Sequence, residues 1–496
     1  MIRKFFTFIS LLFFVNLSCE KTPTINLDQE VIIAKIENRV ITVNDFLKRC
    51  EYSPRPVYCN RDNYIHKKIA LNSLIAEKML ALEFDRSDLE ISETQKYFIE
   101  GQKEQAMRHA MLKKYGYDRV ELDTLSLLNQ IELRNRTYEV DFMVFQGKDL
   151  QNPGAFLNGA TLKEAAFSIG SEEKVSNKTL AFNDQMIDKV RELLFVVGPE
   201  LNKIYGSYKV ADSTFLYLEI MSWVTSVNIT EKQKQDIWGL VKNEILEAQA
   251  SKKYSDFVSE LMHGKNIIFN PQNFQNFADK VAKVYIIERS KKENIIQDYV
   301  WESDNEMRIE ILNQIDKMEN DNILYHDGKD WTLDELMTLI RKHPLVFRKK
   351  DISPDQFTNE LKSAIADLLR DMHITQRGYE VGFDEDVNVK QVTGKWQDYV
   401  KSVIIKEKYS GALQNDLSMP SNKFPNESLV NKIDSLQIAY SKSIKINTLK
   451  FEKINLSSID LFAMYSNQPY NYLEPSFPIL TDDHLLDYGL KITSHD

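Results

Sequence analysis

The stretch Val31-Ile32-Ile33-Ala34-Lys35-Ile36-Glu37-Asn38-Arg39-Val40-Ile41-Thr42-Val43-Asn44-Asp45-Phe46 decides how the chain begins to fold. Apolar, largely β-branched residues flank Glu37-Asn38, which predicts a short strand, a tight turn and a second short strand. A helix is expected to start at Thr42. Thr42 with Asp45 three residues on is an acidic variant of the capping box, in which each side chain satisfies a free backbone amide. From about Lys67 to Phe84, the residues Leu71, Leu74, Ile75, Met79 and Leu82 recur at helical spacing. A further helical stretch, opened by Ser92 and Gln95, is expected to end near Tyr115-Gly116.

This unit occurs twice. A shift of about 290 positions carries Ile33-Ala34 onto Ile323-Leu324, Asn38 onto Gly328, Thr42 onto Thr332, Asp45 onto Glu335 and Phe46 onto Leu336. Without a gap, the same shift carries Leu71, Ile75 and Met79 onto Leu361, Ile365 and Leu369. The second copy is more sharply punctuated. Asp327-Gly328 is a strong hairpin turn. Thr332 with Glu335 forms a full capping box, and Ser353 with Gln356 forms another, with Pro354 at the first helical position.

Between the copies the character changes. Tyr138 to Phe145 alternates as a strand, Gln185 to Val197 reads as a helix stopped by Gly198-Pro199, and Phe215 to Ile220 reads as a closing strand. Thr230 with Gln233 caps a long helix running toward Met262. Val281 to Ile287 reads as a short β-like piece amid charged helix, residues 414–428 as a linker, and Ile444 to Phe451 as one more strand candidate. The predicted organisation is 1–18 leader, 19–30 tether, 31–136 helical module, 137–225 small α/β domain, 226–320 helical connector with a short β piece, 321–413 second module, and 414–496 linker and C-terminal segment. The fold class is α+β, predominantly α-helical.

Arg3 and Lys4 followed by the apolar run Phe5 to Val15 describe a secretory signal, too short to span a bilayer as a helix. Asn16-Leu17-Ser18-Cys19 resembles a bacterial lipoprotein box, which implies cleavage before Cys19 and acylation of its thiol. Several acyl chains would then hold the protein to a leaflet, placing it in the periplasm or cell envelope. With 43% hydrophobic and 27% charged residues the chain is globular. A formal charge of -10 argues against a nucleic-acid surface, which needs clustered Lys and Arg. The other two cysteines, Cys50 and Cys59, allow two readings. A disulfide would close a short loop and add roughly 2–3 kcal/mol; otherwise they are unpaired thiols at a helix end.

The strand-turn-strand opening Glu37-Asn38-Arg39-Val40-Ile41-Thr42 and the run Leu74-Ile75-Ala76-Glu77-Lys78-Met79-Leu80 resemble the N-terminal module of the SurA and PrsA foldases. The resemblance implies SurA N-like modules flanking a small parvulin-like α/β domain, a prolyl isomerase, at 137–225. The run Met186 to Phe195, followed by Gly198, is similar to the parvulin pocket helix, and Met186 is the pocket position that keeps its type. Parvulins carry a histidine in the first strand and another in the last. The matching positions fall near Asp141 and Leu216, and no histidine occurs between His109 and His263. The pocket phenylalanine position holds Val190. The resemblance therefore implies a holdase for unfolded or nascent envelope and outer-membrane proteins, with isomerase activity lost. An active isomerase with an atypical pocket and a structural subunit of an envelope complex are the alternatives.

No cofactor or metal is expected. His326, Asp327 and Asp330 gather in the predicted hairpin turn, where Asp-Gly turn chemistry already accounts for them, and the other histidines lack ligand spacing. Cys50 and Cys59 have no histidine partner to make a nucleophile. Phosphate loops, Gly-x-Ser-x-Gly and dinucleotide fingerprints are absent from the sequence. The aromatic tail Phe462, Tyr465, Tyr470, Tyr472 and Phe477 reads either as a partner surface or as packing of a terminal segment.

Overall fold

The computed structural model describes residues 31–146, 161–168, 174–227, 230–287, 313–349, 352–410, 427–456 and 473–492. The expected leader, Cys19, the tether, most of the linker, and Phe462, Tyr465, Tyr470 and Tyr472 lie outside these residues. The fold is α+β and mostly helical, with small sheets.

The chain opens with β1 (Ile32–Ile36), β2 (Arg39–Thr42), α1 (Val43–Glu51), α2 (Tyr64–Asp85) and α3 (Glu93–Tyr115). Its middle carries α4 (Thr124–Arg134), β3 (Arg136–Gln146), α5 (Leu162–Ser168), β4 (Ser176–Leu180), α6 (Asp188–Glu192), β5 (Ile204–Ala211), β6 (Thr214–Thr225) and α7 (Glu231–Leu261). There follow β7 (Ile267–Phe269), α8 (Pro271–Ile287), β8 (Asn322–His326), β9 (Lys329–Thr332), α9 (Leu333–Lys342), α10 (Pro354–Glu380) and α11 (Val387–Ser410). The last elements are α12 (Glu427–Tyr440), β10 (Ile444–Asn447), α13 (Thr448–Glu452) and β11 (Leu490–Ile492). Two compact units result. One comprises Met111–His263, and the other the residues up to Ala110 and from Gly264 onward.

In the larger unit, positions 290 apart have matching geometry. Glu37 and Asp327 both take φ 52 in their hairpin turns. Each hairpin shifts register at the same point, between Ile32 and Ala34 and between Asn322 and Leu324. Thr42 and Thr332 each complete a reciprocal capping box, with Asp45 and with Glu335. Ile33, Phe46, Leu71, Ile75 and Met79 are fully buried, and so are Ile323, Leu336, Leu361, Ile365 and Leu369. A strand alone cannot bury both of its faces, so each hairpin needs a third strand and a helix against it.

That third strand comes from different places. In the second copy it is β7, which pairs with β8 and is the strand before it along the chain, with α8 between them. In the first it is β10, whose Ile444, Lys445 and Ile446 pair with Ile36, Lys35 and Ala34 near the opposite end of the sequence. Both third strands run into an asparagine that caps the next helix, Asn270 onto the amide of Asn273 and Asn447 onto that of Lys450. Both helices then bury a phenylalanine, Phe274 and Phe451. The C-terminal segment is therefore part of the first module's core, together with Leu436, Tyr440 and Phe477, and does not stand apart as a region of its own.

Around α2 the core is continuous, with residues buried on every side of the helix. Two of these buried positions face each other as a charged pair. Arg49 Nη1 and Nη2 donate to Glu77 Oε1 and Oε2 at 3.0 and 2.7 Å, and Nη2 also reaches the Ser476 carbonyl at 2.8 Å. Where α3 passes the end of α9, only glycine fits at position 101: an added Cβ would lie 2.0 Å from the Lys342 carbonyl oxygen.

Some local expectations differ. Val281–Ile287 belongs to α8, and the strand of this region is Ile267–Phe269. Phe274, Phe277, Ala278 and Val281 turn to one core at helical spacing, and this overrides the β preference of single residues. Ser353 precedes α10 but makes no side-chain cap; the amide of Gln356 bonds its backbone carbonyl instead. The C-terminal strand stops at Asn447 and becomes α13 because that asparagine caps it. Cys50 and Cys59 are free and buried, without a disulfide.

Candidate functional site

The smaller unit holds the region expected to carry the isomerase site. Its four strands are antiparallel in the order β4-β3-β6-β5. Side-chain alternation divides the two central strands between two small cores. Tyr138, Val140, Leu218 and Ile220 face Val190 and the turn Leu193–Phe195, whereas Met143, Phe145 and Tyr217 face Leu162, Ala165 and Ala166 of α5.

Asp141 lies on the α5 face. Its register partner on β6 is Glu219, three residues beyond the position the sequence suggested; Leu216 lies opposite Val144 and packs toward the other face. Each of the two acids is about 1% exposed. Asn177 Nδ2 donates to Asp141 Oδ1 at 2.8 Å, and the Lys163 ammonium lies 2.8 Å from Oδ2. Burial alone would raise the Asp141 pKa, but the Lys163 and Asn177 hydrogen bonds outweigh it and hold the carboxyl below the usual range. Glu219 Oε2 accepts the Leu162 amide at 2.7 Å. Along the same face, Glu139 accepts the Ser222 hydroxyl at 2.9 Å. Asp141 and Glu219 are anchored carboxylates that fasten β4 and α5 to the sheet, and no imidazole or thiol among the described residues of this unit stands beside them.

Met186 is half-buried and packs against the opposite core, with Phe182, Ile187 and Val190. The sheet therefore separates Met186 from Asp141 and Glu219. Phe182 supplies an aromatic wall that the sequence did not single out. It stands edge-on to Phe195 at 5.4 Å, with the Arg134 guanidinium 4.5 Å from its centroid. Arg191 fixes this wall by donating to the carbonyls of Phe182 and Asp184 at 2.6 and 2.9 Å. The signal that could have found it is Phe182 itself, an aromatic residue four positions ahead of Met186.

Burial pushes both the Cys50 and Cys59 thiols up to about 12, so neither is a thiolate near neutral pH. His326, expected in the hairpin turn, ends β8 and is buried; its Nε2 lies 2.8 Å from Nε2 of His373, and its Nδ1 2.9 Å from the Asn266 carbonyl. Among the described residues no three His, Cys, Asp or Glu side chains gather as a metal site, and no helix is long and apolar enough to cross a membrane. No family model, curated protein or solved structure matches the chain.

Proposed function

We propose that the chain is an extracytoplasmic, SurA-like holdase, lipid-anchored through Cys19, whose isomerase-like domain no longer catalyses. One observation carries the loss of catalysis. The strand position expected to hold a histidine and its register partner are Asp141 and Glu219, both buried and fixed by Lys163, Asn177 and a backbone amide. Prolyl isomerisation must lower a barrier of roughly 20 kcal/mol by twisting and desolvating an amide. Carboxylates locked into structural bonds, on the face away from Met186, are poor agents for that.

Support for the holdase reading comes from apolar side chains left in solvent on this same unit. Leu125 and Leu128 share one side of α4 at 75% and 50% exposure, α4 packs on the turn that carries Val196 and Val197, and Val197 is 66% exposed. Weak contacts of this kind suit translocated envelope chains, which expose hydrophobic surface and strand edges before they fold. No nucleotide or metal is required.

The test measures light scattering from an unfolding outer-membrane protein with and without the chain, and proline-peptide isomerisation with the same preparation. Suppressed scattering without rate enhancement supports the proposal. Isomerisation lost on changing Met186 would favour an active enzyme with an atypical pocket. Inactivity in both assays, with one stoichiometric partner, would favour a fixed subunit of an envelope complex. A Cys19→Ser chain that stays membrane-bound would overturn the lipid anchor.

A further inference from the structure

The two copies of the repeat differ at one sheet edge. In the first copy, β10 is covered on its far side by β11, which runs parallel to it with Lys445 opposite Leu490, Ile446 opposite Lys491 and Asn447 opposite Ile492. In the second copy the sheet ends at β7, and among the described residues no strand pairs with its far side. Register equates the two strands. Ile444 and Ile446 stand opposite Ile36 and Ala34. Ile267 and Phe269 stand opposite His326 and Leu324, onto which the repeat carries Ile36 and Ala34.

The main chain of β7 turns outward where a strand like β11 would lie. The Asn270 amide donates to the Ile323 carbonyl at 2.9 Å, in register with the β7–β8 pairs. Bonded pairs alternate in an antiparallel ladder, so Ile268 bonds across to Tyr325, whereas the amides and carbonyls of Ile267 and Phe269 point away from β8. In β10 the same alternation starts from the Glu37 amide on the Ser443 carbonyl, at 3.3 Å, and turns Ile444 and Ile446 toward β11. Burial follows the backbone. Ile444 and Ile446 are wholly buried, whereas Ile267 and Phe269 are half-buried. Natural sheet edges are commonly guarded by lysine or proline. Here the covered strand has Lys445, and the uncovered one has Ile268, 62% exposed.

We infer that the free edge of β7 takes an extended segment of a different protein, added parallel to β7 as a further strand and held mainly through its main chain. The first copy supplies the pattern. β11 pairs over three residues with Leu490 and Lys491 exposed, so its pairing depends little on side chains. The tail of a second copy is a poor fit. Asn72 holds that tail in the first copy, donating to the carbonyls of Asp483 and Leu485 at 2.8 and 2.7 Å and accepting the Tyr488 hydroxyl at 2.6 Å. The repeat carries Asn72 onto Lys362, which lies over the Phe269 ring at 5.7 Å, and an ammonium cannot accept a hydroxyl proton. That the added segment belongs to a non-native client rests on the holdase reading; the open edge does not.

Residue-resolved amide hydrogen exchange of the full chain tests this. The probes are a decapeptide of alternating valine and lysine, the same peptide N-methylated at every residue, and a peptide of residues 484–494 of this chain. In the free chain the amides of Ile267 and Phe269 should exchange at least about tenfold faster than those of Ile444 and Ile446. A saturating concentration of the alternating peptide should slow Ile267 and Phe269 at least about tenfold and leave Ile268 unchanged, and the N-methylated peptide should change neither. Ile267→Pro removes an outward donor and no bond to β8, so it should abolish the peptide's effect at Phe269 while the circular dichroism spectrum stays unchanged. Slow exchange at Ile267 and Phe269 in the free chain, no protection by the alternating peptide, or equal protection by the N-methylated one would each overturn the inference. Stronger protection by the 484–494 peptide would assign the edge to a second copy and overturn the different-protein occupant. The peptide comparison needs no variant and decides the matter even if Ile267→Pro impairs folding. Suppressed aggregation without protection at β7 overturns this inference and leaves the holdase standing, and protection without suppressed aggregation does the reverse.

Discussion

Replacing His373 with glutamine should make the larger unit less sensitive to acid. His373 stands on α10 with its Nε2 2.8 Å from Nε2 of His326. A carbonyl only accepts, so His326 Nδ1, 2.9 Å from the Asn266 carbonyl, carries the proton; its Nε2 is then the acceptor and His373 Nε2 the donor. Burial, with Lys265 and His326 nearby and Asp327 opposing, lowers the His373 pKa from 6.5 to about 4. The unfolded chain therefore binds the proton more readily than the folded one between these values. Stability from this group is complete above pH 6.5 and is lost as pH falls toward about 4. At about pH 5 the loss works out at roughly 2 kcal/mol, and across the whole window at about 3 kcal/mol. Urea unfolding of both proteins near pH 8 and near pH 5, followed by circular dichroism, gives a double difference in which the other titrating groups cancel. His373→Gln retains a donor for His326 and should lose about 2 kcal/mol less than the parent over that interval. Equal losses in the two proteins would refute the buried neutral pair.

Other expectations follow from single contacts. Glu77→Gln strands the Arg49 charge inside the core and should cost about 3–5 kcal/mol in urea unfolding, whereas Arg49→Met with Glu77→Leu should recover most of it. Ile446→Ala, fully buried opposite Ala34 in the β1–β10 pairing, should cost about 2–5 kcal/mol and release hydrogen-exchange protection at Ala34 and Ile36 although they are remote in sequence. Cys50 and Cys59 should resist iodoacetamide in the folded chain and react fully in denaturant, with no mass change on reduction. A two-dalton gain on reduction would contradict the free thiols.

Much of the local structure was legible in the sequence because it is set by neighbours. The Glu37-Asn38 and Asp327-Gly328 turns, the caps at Thr42, Thr230 and Thr332, and the apolar spacing from Leu71 to Met79 depend on residues within a few positions of one another. Local patterns failed where two codes compete, as at Val281–Ile287, whose β-branched composition suggests a strand while Val281 continues the helical core face of Phe274, Phe277 and Ala278. At the candidate site the residue types were readable and the pairing was not. The absence of histidine between His109 and His263 is a fact of the sequence. That Glu219, and not Leu216, lies opposite Asp141 depends on strand register, which is irregular between Glu139 and Val140.

The sequence by itself determined where turns, caps and amphipathic helices form, because those choices are made by backbone amides and side chains close along the chain. Only the tertiary structure decided that β10 completes the sheet begun by β1, that Arg49 and Glu77 are interior, and that His326 meets His373. Sheet pairing between distant segments is selected by the burial of both faces, and no short window records it. A charged residue in a helix reads as a solvated position until another element covers it. The α11 helix does this beside Lys78, and Ser476 does it beside Arg49.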